Sequence, residues 1–263
     1  MDLGLKGANI AVIGENRYEW CLSYLSVTCG CGVIVPIDKE LHAEEVAMIL
    51  NQSEAKVLIF SGKIFDKNLQ EALKLNETVQ ILICMDEEQH ESGGKDYFTI
   101  GTLLERGKQL LEDGDRRYID SVVDSYVMSV LLFTSGTTGV AKGVMLSQRN
   151  ICADIESVTQ CLDNDCTDSV LSILPIHHTY ECTCDFLEIL YMGARIAFCD
   201  GLRYIAKNVQ EYQPTILMLV PLIIENVYGK IMKQASSNPV KKVVFRCMLW
   251  TSGGLQHLSL IHI

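Results

Sequence analysis

The sequence predicts an α/β fold with mostly parallel sheets flanked by helices, arranged as two related β/α subdomains. Short apolar, β-branched runs alternate with longer amphipathic runs along the chain, which is the pattern of strands alternating with helices. A strand–helix–strand unit over residues 32–62 is matched in order and spacing by a later unit over residues 194–220. The apolar runs do not alternate with polar residues, as expected of strands buried on both faces.

The first half of the chain contains a regular series of elements. The run ANIAVIG at 8–14 is typical of a buried strand, and the following RYEWCLSYLSVTCG is predicted to be helical because Trp20, Tyr24 and Val27 fall on one face. The same reasoning gives a strand at GVIVPID, a helix at HAEEVAMILNQ and a strand at AKVLIFSG.

The segment 85–125 differs, because it is polar and rich in glycine and acidic residues. We expect exposed loops there around a short helix, TLLERGKQLL. Beyond it, helical stretches such as CDFLEILYMG and PLIIENVYGKIMKQ separate further apolar runs. Four strands are predicted in this part of the chain: VMSVLLF at 127–133, SVLSILP at 169–175, ARIAFCD at 194–200 and PTILMLV at 214–220.

Composition excludes several classes of protein. The chain has 263 residues, of which 48% are hydrophobic, so it can bury a large core. Its formal net charge is −11 and no basic stripe is present, which argues against nucleic-acid binding. The longest apolar stretch, 214–224, is about half of the roughly 20 residues that span a bilayer, and it contains a proline. The N-terminus lacks the pattern of a secretory signal, so a cytoplasmic location is predicted.

The eleven cysteines do not follow the spacing of a metal site or a disulfide framework. No CxxC motif occurs, and no cysteine–histidine cluster has zinc-finger spacing. Most cysteines lie inside apolar runs, as Cys84 and Cys199 do. We therefore predict reduced thiols that fill the core, and no metal site built by the protein.

One loop carries the clearest chemical signal. A buried strand, Ser129 to Phe133, is followed by the hydroxyl- and glycine-rich run TSGTTG and then by a lysine. Glycine lets the backbone approach an anion closely, hydroxyls donate hydrogen bonds, and a lysine ammonium reaches phosphate oxygens. These are the parts of a polyphosphate site. Its predicted residues are Thr134, Ser135, Gly136, Thr137, Thr138, Gly139 and Lys142.

Two common nucleotide-binding motifs do not fit this loop. A Walker P-loop needs a Ser or Thr directly after its lysine, whereas Lys142 is followed by Gly143. The dinucleotide fingerprint GxGxxG is absent. The remaining alternative is a hydroxyl-rich surface turn without a ligand.

The run TSGTTGVAKG resembles the phosphate-binding signature of the adenylate-forming superfamily, which includes acyl-CoA synthetases and peptide-synthetase adenylation domains. The family usually has proline before the lysine, where this chain has Ala141. Three further runs resemble the long-chain fatty acyl-CoA ligase branch: GENRYEW near the start, VPIDKEL at 35–41 and LPIHHTYE at 174–181.

This resemblance implies an acid–thiol ligase that uses ATP, Mg²⁺ and coenzyme A. A carboxylate would attack the α-phosphate of ATP, and the coenzyme A thiol would then displace AMP. The loop Thr134–Gly139 and Lys142 would hold the β- and γ-phosphates. His178 would line the acyl pocket, with Tyr180 as a pocket wall. The alternative for the two histidines, His177 and His178, is that they satisfy backbone groups at a strand end.

Two local features have structural explanations. Glu181 and Asp185 are four residues apart on a predicted helix, and we expect a solvated or capping face there rather than a carboxylate pair. Ser147 precedes the helical run QRNICADIESVTQCL, in which apolar residues share one face, so it is predicted to be the N-cap.

The resemblance also predicts the domain organisation. Residues 1–257 would form a partial N-terminal adenylation domain, because the adenine- and ribose-binding segments and the C-terminal domain of the family find no match in the sequence. TSGG at 251–254 resembles the start of a glycine-rich strand end. The last six residues, LSLIHI at 258–263, are the translation of CTGTCTCTTATACACATC, which resembles a transposon end used in sequencing libraries. We therefore predict a non-native tail there, and a 263-residue chain without measurable ligase activity.

Three functional hypotheses remain at this point. The first is activation of a fatty acid, with small-molecule substrates, no nucleic acid, no membrane-spanning segment and peripheral membrane contact left open. The second is adenylation of an amino or aryl acid. The third is a non-catalytic β/α module that binds a nucleotide.

Overall fold

The computed structural model describes residues 1–134 and 141–236. Residues 1–218 form one compact unit, and a second unit begins at Leu219, whose described part is one helix. The strands are β1 (Ala8–Ile13), β2 (Gly32–Ile37), β3 (Val57–Phe60), β4 (Ile81–Cys84), β5 (Asp96–Thr99), β6 (Met128–Thr134), β7 (Lys142–Ser147), β8 (Ser169–Ser172) and β9 (Arg195–Phe198). The α-helices are α1 (Tyr18–Thr28), α2 (Ala43–Gln52), α3 (Lys67–Leu75), α4 (Ile100–Glu112), α5 (Gln148–Cys161), α6 (Glu188–Met192), α7 (Ile205–Tyr212) and α8 (Pro221–Ser236). A π-helix, Glu181–Leu187, leads directly into α6.

The main sheet contains the first seven strands in the order β5-β4-β3-β1-β2-β6-β7. Every neighbouring pair is parallel except β6 and β7, which are antiparallel. β8 and β9 form a separate parallel pair. The predicted α/β class with mostly parallel strands is confirmed.

Helices cover both faces of the main sheet. In β1, Ile10 and Val12 pack on one face with α1, whereas Ala11 and Ile13 pack on the other face with α2 and α3. Both sets are buried, which explains why the strand is apolar without alternation. Trp20 and Tyr24 of α1 stack at 5.6 Å, and Phe186 of the π-helix packs edge-on against both rings.

The strand order places a topological switch point, here called the crevice, at the carboxyl edge of the sheet. β1 and β2 are neighbours, but β1 is followed by a helix on one face and β2 by a helix on the other. The two connections therefore diverge. In open parallel sheets, ligands bind at such a divergence, outside the carboxyl ends of the strands.

The predicted strand at 214–220 is wrong for most of its length. Only Ile216 pairs, through a single parallel bridge to Val170. The backbone N–H groups of Thr215 and Ile216 both donate to the carbonyl of Ser169, and the ladder goes no further. The sequence interpretation also missed three short strands, β4, β5 and β7, of which β5 lies within the segment expected to be loop.

The cysteines only partly follow the prediction. All ten cysteines within the described ranges are free thiols, and Cys21, Cys84 and Cys182 are buried as expected. Four others are exposed, contrary to the expectation of core filling: Cys29, Cys152, Cys161 and Cys166. Helix α5, which carries Cys152 and Cys161, has no buried residue, and both thiols are exposed.

None of the described helices combines the length and the apolar composition needed to cross a membrane. The predicted tail at 258–263 and the TSGG segment lie outside the described residues, and the domain boundaries stay a prediction.

Candidate functional site

The predicted phosphate loop connects two paired strands. Thr134 ends β6 and Lys142 begins β7, and the antiparallel register places these two residues opposite each other. Both are exposed. The five loop residues between them that were assigned to phosphate binding, Ser135, Gly136, Thr137, Thr138 and Gly139, lie outside the described residues. Their role stays a prediction, with Thr134 and Lys142 marking the two ends of the loop.

The strand that leads into this loop, β6, ends beside the crevice. β6 is parallel to β2, with Ile34 paired to Val130. Asp38 and Thr134 each lie four residues beyond that pair, so the two chains emerge at the same level of the carboxyl edge. Thr134, at which the described part of β6 ends, therefore neighbours the start of the β2 connection, which forms one side of the crevice.

The histidine segment, residues 173–180, lies between β8 and the π-helix. The His178 N–H donates to the Pro175 carbonyl at 3.0 Å, which closes a tight turn, and the His178 carbonyl accepts from Cys182 at the start of the helix. His178 is exposed, and Tyr180 is 45% exposed. Both side chains proposed for the acyl pocket are thus accessible.

His177 has a different environment from His178. It is 9% exposed, and the two imidazole rings are 4.2 Å apart. Its Nε2 lies 3.5 Å from a carboxylate oxygen of Asp38, the residue that follows β2. Burial lowers the pKa of His177 to about 4, although Asp38 acts in the opposite direction. His177 is therefore neutral at physiological pH.

Asn16 joins the turn after β1 to the histidine segment. Its side-chain N–H₂ donates to the carbonyl of Leu174 at 2.6 Å and to Ser172 Oγ at 2.8 Å. Its side-chain oxygen accepts from the N–H of Ile176 at 3.1 Å. A third acceptor, Glu181, lies 3.3 Å from the amide nitrogen. The histidine segment is thus attached to both sides of the crevice, through Asn16 after β1 and Asp38 after β2.

Glu181 and Asp185 are fully buried, so the expectation of a solvated face is wrong. The four-residue spacing indicates that the two residues share a helix face, but not whether that face is buried or exposed. Here the face is buried, and Glu181 contacts Ser172 of β8. Glu181 accepts from Ser172 Oγ, whereas neither oxygen of Asp185 has a hydrogen-bond partner among the described residues. Burial, and then the neighbouring Glu181, raise the pKa of Asp185 to about 10, so this carboxyl is protonated at neutral pH.

Arg17 ties further loops to the same edge. Its guanidinium contacts Asp86, which follows β4, at 2.9 Å and Glu19 at 2.6 Å. Asp86 also accepts from the N–H of Gly62, which follows β3. Burial opposes protonation of Arg17, but these two carboxylates outweigh it and raise the pKa of Arg17 above its ordinary value. The carboxyl ends of β1, β3 and β4 are therefore linked by one ionic cluster.

The sequence interpretation assigned no role to Asn16 or Asp38. Both lie in runs that resemble the ligase branch, GENRYEW and VPIDKEL. Asn16 lies two residues after the predicted strand at 8–14, and Asp38 is the last residue of the predicted strand at 32–38. Their position at strand ends was the available signal, since carboxyl ends of parallel strands gather at one edge. The structure brings these two runs together with LPIHHTYE. Within the described residues, no group of three or more His, Cys, Asp or Glu is placed to hold a metal ion.

Comparison with known proteins finds long-chain-fatty-acid ligases among the relatives of this chain. The chain is 27% identical over 246 residues to the chloroplastic long-chain-fatty-acid–(acyl-carrier-protein) ligase AEE15 of Arabidopsis thaliana, covering 90% of this chain and 34% of that protein. It is 29% identical over 245 residues to human long-chain-fatty-acid–CoA ligase 6, covering 89% and 34%. The chain thus spans about a third of the length of these relatives.

A solved structure shares the fold. The long-chain-fatty-acid-CoA ligase FadD1 of Archaeoglobus fulgidus superposes with a TM-score of 0.68 at 18% identity, covering 90% of this chain and 44% of that one. The family model of AMP-binding enzymes matches residues 2–256, nearly the whole chain. The chain therefore belongs to the family of AMP-binding enzymes, and its relatives include long-chain-fatty-acid ligases.

Proposed function

We propose that this chain is the part of a fatty-acid-activating ligase that binds the tail of ATP and the reacting carboxylate. The observation that carries the proposal is the position of TSGTTGVAKG. Its two described ends, Thr134 and Lys142, are paired at the carboxyl edge of a parallel sheet. The crevice next to them holds the histidine segment.

In the first half-reaction, the acid carboxylate attacks the α-phosphorus of ATP and pyrophosphate leaves. Negative charge then grows on the departing β- and γ-phosphates. Lys142, with the hydroxyls and backbone amides of the loop, would stabilise that charge. Mg²⁺, arriving with ATP, supplies further charge neutralisation on the phosphate oxygens.

In the second half-reaction, a thiol attacks the acyl carbon and AMP leaves. We assign coenzyme A as that thiol. His178 and Tyr180 would contact the acyl group near the reacting carboxylate, because both are accessible side chains of the histidine segment. Neutral His177 below them would shape that segment without adding charge to the site.

A fatty acid is the proposed substrate because of the relatives. The two curated proteins described above are both named as long-chain-fatty-acid ligases, one with coenzyme A and one with an acyl-carrier protein as acceptor. The runs VPIDKEL and LPIHHTYE, which resemble the same branch, contribute the contact between Asp38 and His177.

The test is ATP–pyrophosphate exchange by the enzyme encoded by the complete open reading frame. We expect exchange that depends on a long-chain acid such as palmitate, followed by palmitoyl-CoA formation when coenzyme A is added. Exchange only with amino or aryl acids would show that the acid class is wrong. An enzyme that binds ATP without exchange for any acid would be a non-catalytic module.

A further inference from the structure

We propose that Asn16 is a positioning residue for the site that binds the acid substrate. Both ends of its carboxamide hold the histidine segment in place. This inference rests on the proposed function for the identity of the site, but the contacts themselves are independent of it. The two partners of Asn16 in that segment, Leu174 and Ile176, are 158 and 160 residues away in sequence, so these contacts are tertiary and not part of a local turn.

The two main contacts of Asn16 lie on either side of Pro175. The amide nitrogen donates to the carbonyl of Leu174 and the side-chain oxygen accepts from the N–H of Ile176. A carbonyl can only accept and an N–H can only donate, so the orientation of the carboxamide is fixed by its partners. Leu174 and Ile176 are both buried, which makes loss of either contact costly because a backbone group would be left without a partner.

These contacts reach His178 through the backbone. The carbonyl of Pro175, between the two residues that Asn16 holds, accepts from the N–H of His178. His178 in turn begins the helical segment through its carbonyl and Cys182. Fixing residues 174 and 176 therefore fixes the direction in which the His178 side chain leaves the turn.

Buried groups around the amide nitrogen make asparagine the required residue. Ser172 Oγ and Glu181 also face this nitrogen, and Glu181 itself accepts from Ser172. An aspartate at position 16 could still accept from Ile176, but it could not donate to Leu174. It would also place a second carboxylate beside the buried Glu181. The Asn16→Asp change is nearly isosteric and tests donation and charge without changing volume.

Asn76 offers a matched control at the opposite end of the sheet. It is 6% exposed and also uses both ends of its carboxamide, accepting from Val79 N–H at 2.9 Å and donating to Asn51 Oδ1 at 2.7 Å. It precedes β4, whereas Asn16 follows β1, so it lies at the amino edge. Asn76→Asp removes the same type of contacts away from the site.

The first measurement is amide hydrogen exchange by NMR on the 263-residue chain. In Asn16→Ala, which removes the oxygen that accepts from the Ile176 N–H, we expect the Ile176 amide to exchange about tenfold faster than in wild type, as for loss of one hydrogen bond. Asn76→Ala should leave the Ile176 rate unchanged. An unchanged rate in Asn16→Ala would overturn the proposal. If that variant does not fold, the nearly isosteric Asn16→Asp decides through the kinetic measurement below.

The second measurement is kinetic, on the enzyme from the complete open reading frame. Asn16→Asp should lower kcat/KM for the acid about 10- to 100-fold, as expected for a displaced binding group, while KM for ATP changes less than about twofold. Asn76→Asp should lower stability without this split between the two substrates. Equal kinetic effects of the two variants, or equal effects on acid and ATP, would overturn the positioning role.

The two measurements separate the possible failures. A wild-type enzyme without acid-dependent exchange would remove the proposed function, and the rate at Ile176 would still decide whether Asn16 holds the turn. An active enzyme whose Asn16→Asp variant keeps its kcat/KM for the acid would remove only the positioning role.

Discussion

Nε2 of His177 lies 3.5 Å from a carboxylate oxygen of Asp38, yet burial outweighs this attraction and lowers the pKa of the imidazole to about 4. This contact joins the histidine segment to the end of β2, so the protonation of His177 changes the charge at the crevice. A neutral histidine here also means that His177 places no positive charge next to Asp38.

The lowered pKa predicts a pH-dependent stability. Because His177 takes up a proton in the unfolded chain near pH 6.5 but in the folded chain only near pH 4, its contribution is present above 6.5 and is lost as the pH falls between these values. Urea unfolding of the 263-residue chain should show that His177 accounts for about 2 kcal/mol of the stability lost between pH 7 and pH 5. His177→Gln should lack this component, whereas exposed His178→Gln should keep it. Equal pH profiles for wild type and His177→Gln would contradict the prediction.

The phosphate-binding role of Lys142 predicts a specific loss of catalysis. In the complete enzyme, Lys142→Ala should reduce ATP–pyrophosphate exchange about 100-fold, because one stabilising charge on the departing pyrophosphate is removed. The exposed Lys74, in the last turn of α3, provides the control, and Lys74→Ala should exchange at the wild-type rate. Undiminished exchange by Lys142→Ala would show that Lys142 does not bind the phosphates of ATP.

The sequence was sufficient for the parts of this fold that depend on local pattern. β1 and β2 were predictable because buried parallel strands are continuously apolar, and the N-cap at Ser147 because a serine preceded a periodic helix. β5 was not predictable from local pattern. Its sequence, DYFT, forms a short edge strand, and its pairing with β4 is set by tertiary contact and not by its own hydrophobicity.

The candidate site shows the same division. A motif such as TSGTTGVAKG is contiguous, so it can be recognised without a structure. The contact of Asn16 with Ile176 spans 160 residues and required the strand order to be known. Burial of Asp185 was equally unpredictable, because periodicity gives the residues that share a face but not the neighbour that covers it.

The confirmed N-cap predicts a measurable helix contribution. Ser147 Oγ accepts from the N–H of Asn150, and the Asn150 side chain accepts from the N–H of Ser147 in return. Ser147→Ala should lower the free energy of unfolding by about 1 kcal/mol, measured by urea denaturation. Ser157, within the same helix, hydrogen-bonds only to the Ala153 carbonyl, so Ser157→Ala should be neutral or slightly stabilising. Similar losses for both variants would argue against the capping contribution.

Asp185 gives a prediction of opposite sign to that of His177. Its folded pKa of about 10 lies above the ordinary value of 3.8, so the folded chain holds a proton that the unfolded chain releases, and stability falls as the pH rises between these values. Asp185→Asn removes the titration and the buried charge together.

We therefore expect the stability of Asp185→Asn relative to wild type to rise by about 5 kcal/mol from pH 4 to pH 8, because about four pH units at about 1.4 kcal/mol each separate the two conditions. Exposed Asp163→Asn should show no such gain. The measurement is urea unfolding of the 263-residue chain at both pH values. A relative stability that does not rise between pH 4 and pH 8 would contradict the prediction, because it would mean that Asp185 ionises as easily in the folded chain as in the unfolded chain.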